Sequence, residues 1–222
     1  MFLGHFGLAF AGKRIAPYVS LGSLFLAVQF ADLLFFLLTL LGTEHFRISP
    51  GATRVTPMDF YDYPYSHSLL GLVVWGVLIG AIYWVARRAL AGGVLLAAGV
   101  VSHWVLDVIV HRRDMPLGLQ GPYYGLDLWG SLPLTLAVEA VVFGAGIAIY
   151  LAATRPRDLV GVWAFWALVA FLTVSWLGSV LGPPPPSERA VEWIGLAMWL
   201  LVPWGWWIDR HRELARAAAA AR

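Results

Sequence analysis

Val100–His111, VVSHWVLDVIVH, places two histidines and an aspartate in a run that is otherwise apolar apart from one serine. His103, Asp107 and His111 recur every four residues. On an α-helix that step turns only about 40° from one side chain to the next, so the three stack along one stripe. Imidazole and carboxylate on one stripe form a metal-ligand face. In its plainest form the same spacing is an i,i+4 hydrogen-bonded pair of His103 and Asp107. An ionisable pair inside an apolar spanning segment is itself a sign of function, because isolated charge is costly in hydrocarbon.

The rest of the chain makes that segment a membrane helix. Of 222 residues, 60% are hydrophobic and 13% charged, and the mean hydropathy is +0.74, far from the balance of a soluble domain. An all-α integral membrane protein is expected, with about six transmembrane helices and an N-terminal half-inserted helix. No basic n-region precedes the apolar start, so no cleavable signal peptide is expected. The net charge of +2, spread over loop ends, gives no support for nucleic-acid binding. Cysteine is absent, which leaves His, Asp and Glu as metal ligands.

Taken in order, MFLGHFGLAFAGKR (1–14) is too short to cross a core of about 30 Å at about 1.5 Å per residue, and it carries His5. Pro17 suits a helix start, and Tyr18 to Leu41 forms the first span, interrupted by Asp32. Gly42 to Tyr65 is a polar, proline-containing connection. Ser66 or Ser68 caps a second span, about His67 to Ala86; the third is Leu90 to Val110. A turn-rich loop with Asp114 and Asp127 follows. The fourth span, about Leu128 to Ala153, holds Glu139 as its only ionisable residue, and the fifth, Leu159 to Leu181, holds none. GPPPPSER is a stiff connection to a tryptophan-rich sixth span, about Ala190 to Ile208, and DRHRELARAAAAAR is a basic, helix-prone tail. Residues 1–153 thus hold the chemistry. Residues 154–222 add two helices and the tail to the same bundle.

Ten Lys and Arg residues fall on the side of Lys13, Arg87, Arg155 and the tail, and five on the side of Arg47, Arg54, Arg112, Arg113 and Arg189. The positive-inside rule then puts both termini in the cytoplasm of an inner membrane, with the polar cluster opening toward the outer half. Arg112 and Arg113 anchor to headgroups there, or hold a phosphate at the mouth of the site.

His5, Asp32, His67, His103, Asp107, His111 and Glu139 all lie on or beside the N-terminal half-helix and the first four spans, while the last two spans are nearly free of charge. Such clustering favours a shared metal site over separate hydrogen bonds. His5, Asp32, His67, His103, Asp107 and His111 are the expected ligands. Asp32 can alternatively orient a histidine; Glu139, Asp32 and His111 are the expected proton carriers. A sulfur-free set suits Zn²⁺ first, with Mn²⁺ or Fe²⁺ as alternatives, in one or more ions.

The pattern resembles the YdjM-type family of membrane-bound, predicted metal-dependent hydrolases. The matching pieces are GHFGLAFAGK, QFAD, YSHSLL and SHWVLD, within roughly residues 1–150. The resemblance implies His5, Asp32, His67, His103 and Asp107 as metal-site residues. This chain has DYPYSHS where the family often has an HRG-type sequence before THS, and Leu33 and Leu34 follow Asp32 where a second aspartate often stands. More distantly, the ligand order is similar to that of the zinc-dependent phospholipase C and single-strand nuclease superfamily, which implies a phosphoester.

The expected function is therefore a membrane-embedded, zinc-dependent hydrolase acting on a lipid-like substrate by metal-activated water. A metal-ion or proton transporter, its His and acid residues lining a pathway, is the alternative, and a structural bundle is a third. The transporter requires polar residues to continue to the basic end, where the second and third spans carry only Gly, Ala, aliphatic and aromatic residues. No signal for an oligomeric state is present.

Overall fold

Helix α1 (Leu3–Ile15) sits inside the bundle rather than on its edge, and the computed structural model, which describes residues 1–215, is arranged around it. Its phenylalanines Phe6 and Phe10 are fully buried, meeting Phe25, Tyr150 and Phe165 mostly edge-on or tilted at centroid distances of 5.2–5.5 Å. Lys13 and Arg14 fall in its last turn, where the helix dipole favours cations. Lys13 Nζ donates to Asp209 at 2.7 Å and to the Val19 carbonyl at 2.9 Å, which satisfies the buried ammonium.

The expected single span from Tyr18 to Leu41 is broken. Pro17 lies in a turn, Ser20 caps α2 (Leu21–Val28), and α3 (Phe30–Leu40) leaves at 57° to it after Gln29. The expected plain connection after α3 contains an antiparallel hairpin, β1 (His45–Ile48) with β2 (Met58–Asp62), and one helical turn, α4 (Pro64–His67), with Pro64 in the first-turn position that tolerates a missing N–H.

Ser68, not Ser66, caps α5 (Leu69–Arg87) by accepting from the Gly71 amide, and Arg88 ends it in the left-handed region. Helix α6 (Leu90–Val110) packs on α5 at Gly80 and Gly93, where a Cβ on either glycine would meet the other's carbonyl oxygen within about 2.5 Å. A small ladder, β3 (Met115–Pro116) with β4 (Tyr123–Tyr124), leads to α7 (Leu132–Ala153), β5 (Thr154–Pro156) and α8 (Leu159–Leu181). The sixth segment, Glu188–Arg210, is two helices, α9 (Glu188–Ala197) and α10 (Leu201–Arg210), joined by a 3-10 turn.

Helix α10 ends at Arg210, and the next described residues form a turn and a short strand. Arg212–Leu214 forms β6, antiparallel to β5; Arg212 stacks over Tyr150 and Phe165 and donates to Thr154 and the Gly161 carbonyl. Arg216 and Arg222, expected in the basic tail, lie outside the described residues.

Among the described residues, five helical segments are long and apolar enough to cross a membrane, and the bent α2–α3 pair makes a sixth. Large apolar side chains such as Val77, Ile82 and Trp163 point outward from them, as lipid-facing helices require. This is a multi-pass all-α membrane protein.

Helices α1 and α7 approach backbone to backbone. A Cβ on Gly146 would lie 2.2 Å from the Gly7 carbonyl oxygen, whereas Gly144 faces open space. Gly146→Ala is therefore expected to destabilise the detergent-solubilised protein by about 1–3 kcal/mol, and Gly144→Ala by less than about 0.5 kcal/mol. Thermal unfolding of the two variants beside the wild type checks this; equal midpoints would contradict the close approach.

Candidate functional site

Asp107 stands where α1, α3, α4 and α6 converge. Its Oδ1 pairs with the Met1 ammonium and with His5 Nε2 at 3.1 Å. Its Oδ2 lies 3.0 Å from His103 Nε2, 3.9 Å from His67 Nε2 and 4.0 Å from His111 Nε2. Asp32 Oδ1 approaches from the opposite element, 3.4 Å from His67 Nε2 and 3.6 Å from His103 Nε2. His5 stacks on His103, with centroids 3.8 Å apart and ring planes within 2°. The five residues expected from the resemblance are thus in one place.

Two hydrogen bonds decide what the imidazoles can do. His103 Nδ1 is 2.7 Å from the Val28 carbonyl, which can only accept, so Nδ1 carries the proton and Nε2 of the neutral ring is a bare lone pair. Val28 is the last residue of α2, and its carbonyl is turned to His103 where the helix bends. His67 Nδ1 is 2.7 Å from Ser66 Oγ, whose own proton goes to Glu44 Oε2 at 2.6 Å; Nδ1 must therefore donate, and Nε2 is again bare.

Both bare nitrogens face carboxylate oxygens. His103 Nε2 is fully enclosed, and no hydrogen bond reaches it despite the 3.0 Å separation from Asp107. Lone pairs set against each other in an apolar interior repel unless a cation lies between them, either a proton on the ring or a metal ion. The four histidine-to-carboxylate separations, 3.0, 3.4, 3.6 and 3.9 Å, bracket the ligand-to-ligand distance of about 3.3 Å that tetrahedral Zn–N and Zn–O bonds of about 2.0–2.1 Å impose. Within the cluster, the ligand atoms of His5, His103 and Asp107, and those of Asp32, His67 and His103, each lie within 4.8 Å of one another. The residue types and spacings fit a divalent ion.

Exposure is uneven. The His5, His67, His103 and Asp107 side chains are 5% exposed or less, while Asp32 is 24% exposed. Asp32 is therefore the most accessible of these carboxylate and imidazole groups.

His111 stands one step out. It terminates α6, and its Nδ1 bonds Asp114 Oδ1 at 3.0 Å while its ring lies 4.2 Å from that of Trp129. Asp114 also accepts from Tyr63 Oη at 3.3 Å and Arg112 Nε at 3.1 Å. Burial, reinforced by the Asp114 charge, raises the Tyr63 phenol well above its ordinary pKa and keeps it a donor. Arg112 is further paired with Asp59, which also holds Arg47, so this arginine is engaged by protein acids at the mouth.

Glu139, expected as a proton carrier, is taken up by α1. Its Oε1 accepts from the Phe2 amide and its Oε2 from the Gly4 amide, both at 3.0 Å. These are N-terminal amides that α1 cannot satisfy itself, and a carboxylate there is favoured by the helix dipole. Its role in this structure is to cap α1, and through it to hold His5.

Glu44 and Ser66 were not among the expected site residues. Glu44 is fully buried; besides Ser66 Oγ, its carboxylate accepts from the Tyr65 and Ser66 amides at 2.7 and 2.9 Å. The only signal was the SHS motif, in which the first serine reads equally as a cap. Glu44, on a polar stretch 22 residues before Ser66, needs the hairpin to bring it home.

Comparison of the chain with protein-family models, curated proteins and solved structures finds no match.

In protein selectively labelled with 15N-histidine, His67 and His103 are expected to be Nδ1–H tautomers, and Ser66→Ala to shift the His67 ring nitrogens but not those of His103. An Nε2–H tautomer at His67 in the wild type would overturn the Glu44–Ser66–His67 chain.

Proposed function

We propose that this protein is a membrane-embedded, metal-dependent hydrolase, most simply a zinc enzyme, that cleaves a lipid-like phosphoester. The observation that carries the reading is the pair of bare Nε2 atoms, on His67 and His103, set against two carboxylates within the apolar bundle. His67, His103 and Asp107, whose Nε2 and Oδ2 atoms face one another at 3.0 and 3.9 Å, would hold the ion. When bound it would supply Lewis acidity and bring the pKa of water toward neutrality.

This chain's residues do the remaining work. Asp32, the exposed member, faces the approaching water and takes its proton; a carboxylate beside two imidazoles is a suitable acceptor. His5, stacked on His103 and bonded to Asp107, holds both in register. Glu44, through Ser66, fixes the His67 ring, the kind of outer support that metal-bound histidines use. A site at membrane depth, most accessible at Asp32, favours an amphiphilic substrate. The resemblance to the YdjM-type family and the zinc-dependent phospholipase C superfamily adds the phosphoester, and the excess of basic residues at the opposite end of the bundle supports an inner-membrane protein with its site in the outer half.

A transporter has less support. Between the cluster and the Lys13–Asp209 pair at the basic end lie Phe6, Phe10, Leu24 and Phe25, all buried and apolar.

Plasma mass spectrometry of detergent-purified protein is expected to find at least one equivalent of zinc or another transition metal, lost in a folded His103→Ala, Asp107→Ala double variant. Asp32→Asn is expected to retain the metal and lose about 10²–10⁴-fold in turnover of a phosphoester lipid. Metal-free wild type, even after reloading, would sink the hydrolase reading; metal loss in Asp32→Asn would make Asp32 a ligand.

A further inference from the structure

We propose that a cleft at the basic end of the bundle, opposite the His–Asp cluster, is a binding site for one anionic phospholipid. Helices α2 and α5 each pack on α6, and the gap left between them has a volume of about 520 Å³. That is within the range of ligand pockets, roughly 300–1,000 Å³. Leu96 of α6 forms its floor, and Leu26, Ile79 and Ile82 its walls, an apolar lining suited to an acyl chain.

The rim has the opposite character, and one sign. Ser20 Oγ accepts from the Ser23 amide at 3.1 Å and from Trp206 Nε1 at 3.0 Å, which occupies both its lone pairs. Its proton therefore goes to Ser23 Oγ, 2.7 Å away. The Ser23 hydroxyl is left with a proton and no acceptor among the described residues. Arg87 also lines the cleft at the C-terminus of α5, with Arg88 next to it, and neither has an acidic partner among the described residues. No carboxylate lines the cleft. A hydroxyl donor and an unpaired guanidinium above an apolar slot are complementary to a phosphate on an acyl chain. A zwitterionic headgroup would bring its own cation to the same arginines, so the site selects lipids of net negative charge.

Trp206 and Tyr83 flank the mouth, at the level where amphipathic rings settle between hydrocarbon and headgroup. The bound lipid would join α2, α5 and α10 at an end where little protein lies between α2 and α5. This role is independent of the proposed hydrolase activity.

Native mass spectrometry of the full chain in detergent, with equimolar phosphatidylglycerol and phosphatidylcholine added, tests it. The wild type is expected to retain one phosphatidylglycerol with a preference of about fivefold or more. An Arg87→Gln, Ser23→Ala double variant should bind the two lipids equally. Ile82→Trp, at a cleft-lining position exposed enough to take bulk, should crowd the slot and reduce retention of both, with metal content unchanged. Equal retention by the wild type, or an unaltered preference in the double variant, would overturn the proposal; so would undiminished binding by Ile82→Trp.

Discussion

Two carboxylates and two imidazole nitrogens that all present lone pairs need positive charge among them in a hydrocarbon interior, and the Met1 ammonium supplies it only at Asp107 Oδ1, not at the Oδ2 that faces the two bare nitrogens. Much of the structure around the cluster serves that constraint. The bend after Gln29 turns the Val28 carbonyl to His103, and Glu44 and Ser66 do the corresponding work for His67. Each ring is oriented by its outer nitrogen, so the inner one of the neutral ring presents a lone pair to the carboxylates and becomes a donor only by taking up a second proton. The cluster thus leaves His103 Nε2 without a hydrogen-bond partner while its other polar atoms are largely engaged within the chain.

Helix α1 shows how a segment too short to span can still be essential to a bundle. Buried at its N-terminal end, it would leave its first amides unsatisfied in an apolar medium, and Glu139 from α7 supplies the missing acceptors. At its other end the ammonium of Lys13 meets Asp209. The close glycine contact with α7 allows the helix to lie deep enough for His5 to reach Asp107.

What was legible in the sequence follows from where the geometry is encoded. The i,i+4 spacing of His103 and Asp107 fixes their common face before any tertiary contact forms, and the long apolar runs of α6 and α8 give their limits directly. Asp32 stood out as a charge within a hydrophobic run, yet the break beside it did not, since neither proline nor glycine marks Gln29. Glu139 looked chemically available because its partners are backbone amides, which every residue but proline carries and which no motif reveals. Glu44 was hidden for a related reason: its position depends on a hairpin inside a segment whose polar composition reads as a plain connection.

The burial of α1 also bears on how the molecule is held together. Gly4 and its acceptor Glu139 are 135 residues apart, with the bent α2–α3 pair, α5 and α6 between α1 and α7 in the chain. The acceptors for the first amides of α1 are therefore supplied only by a much later segment of the chain. His5 reaches Asp107 and His103 on α6 while the N-terminal amides of the same helix rest on Glu139 of α7, so the polar centre ties together segments far apart in the chain.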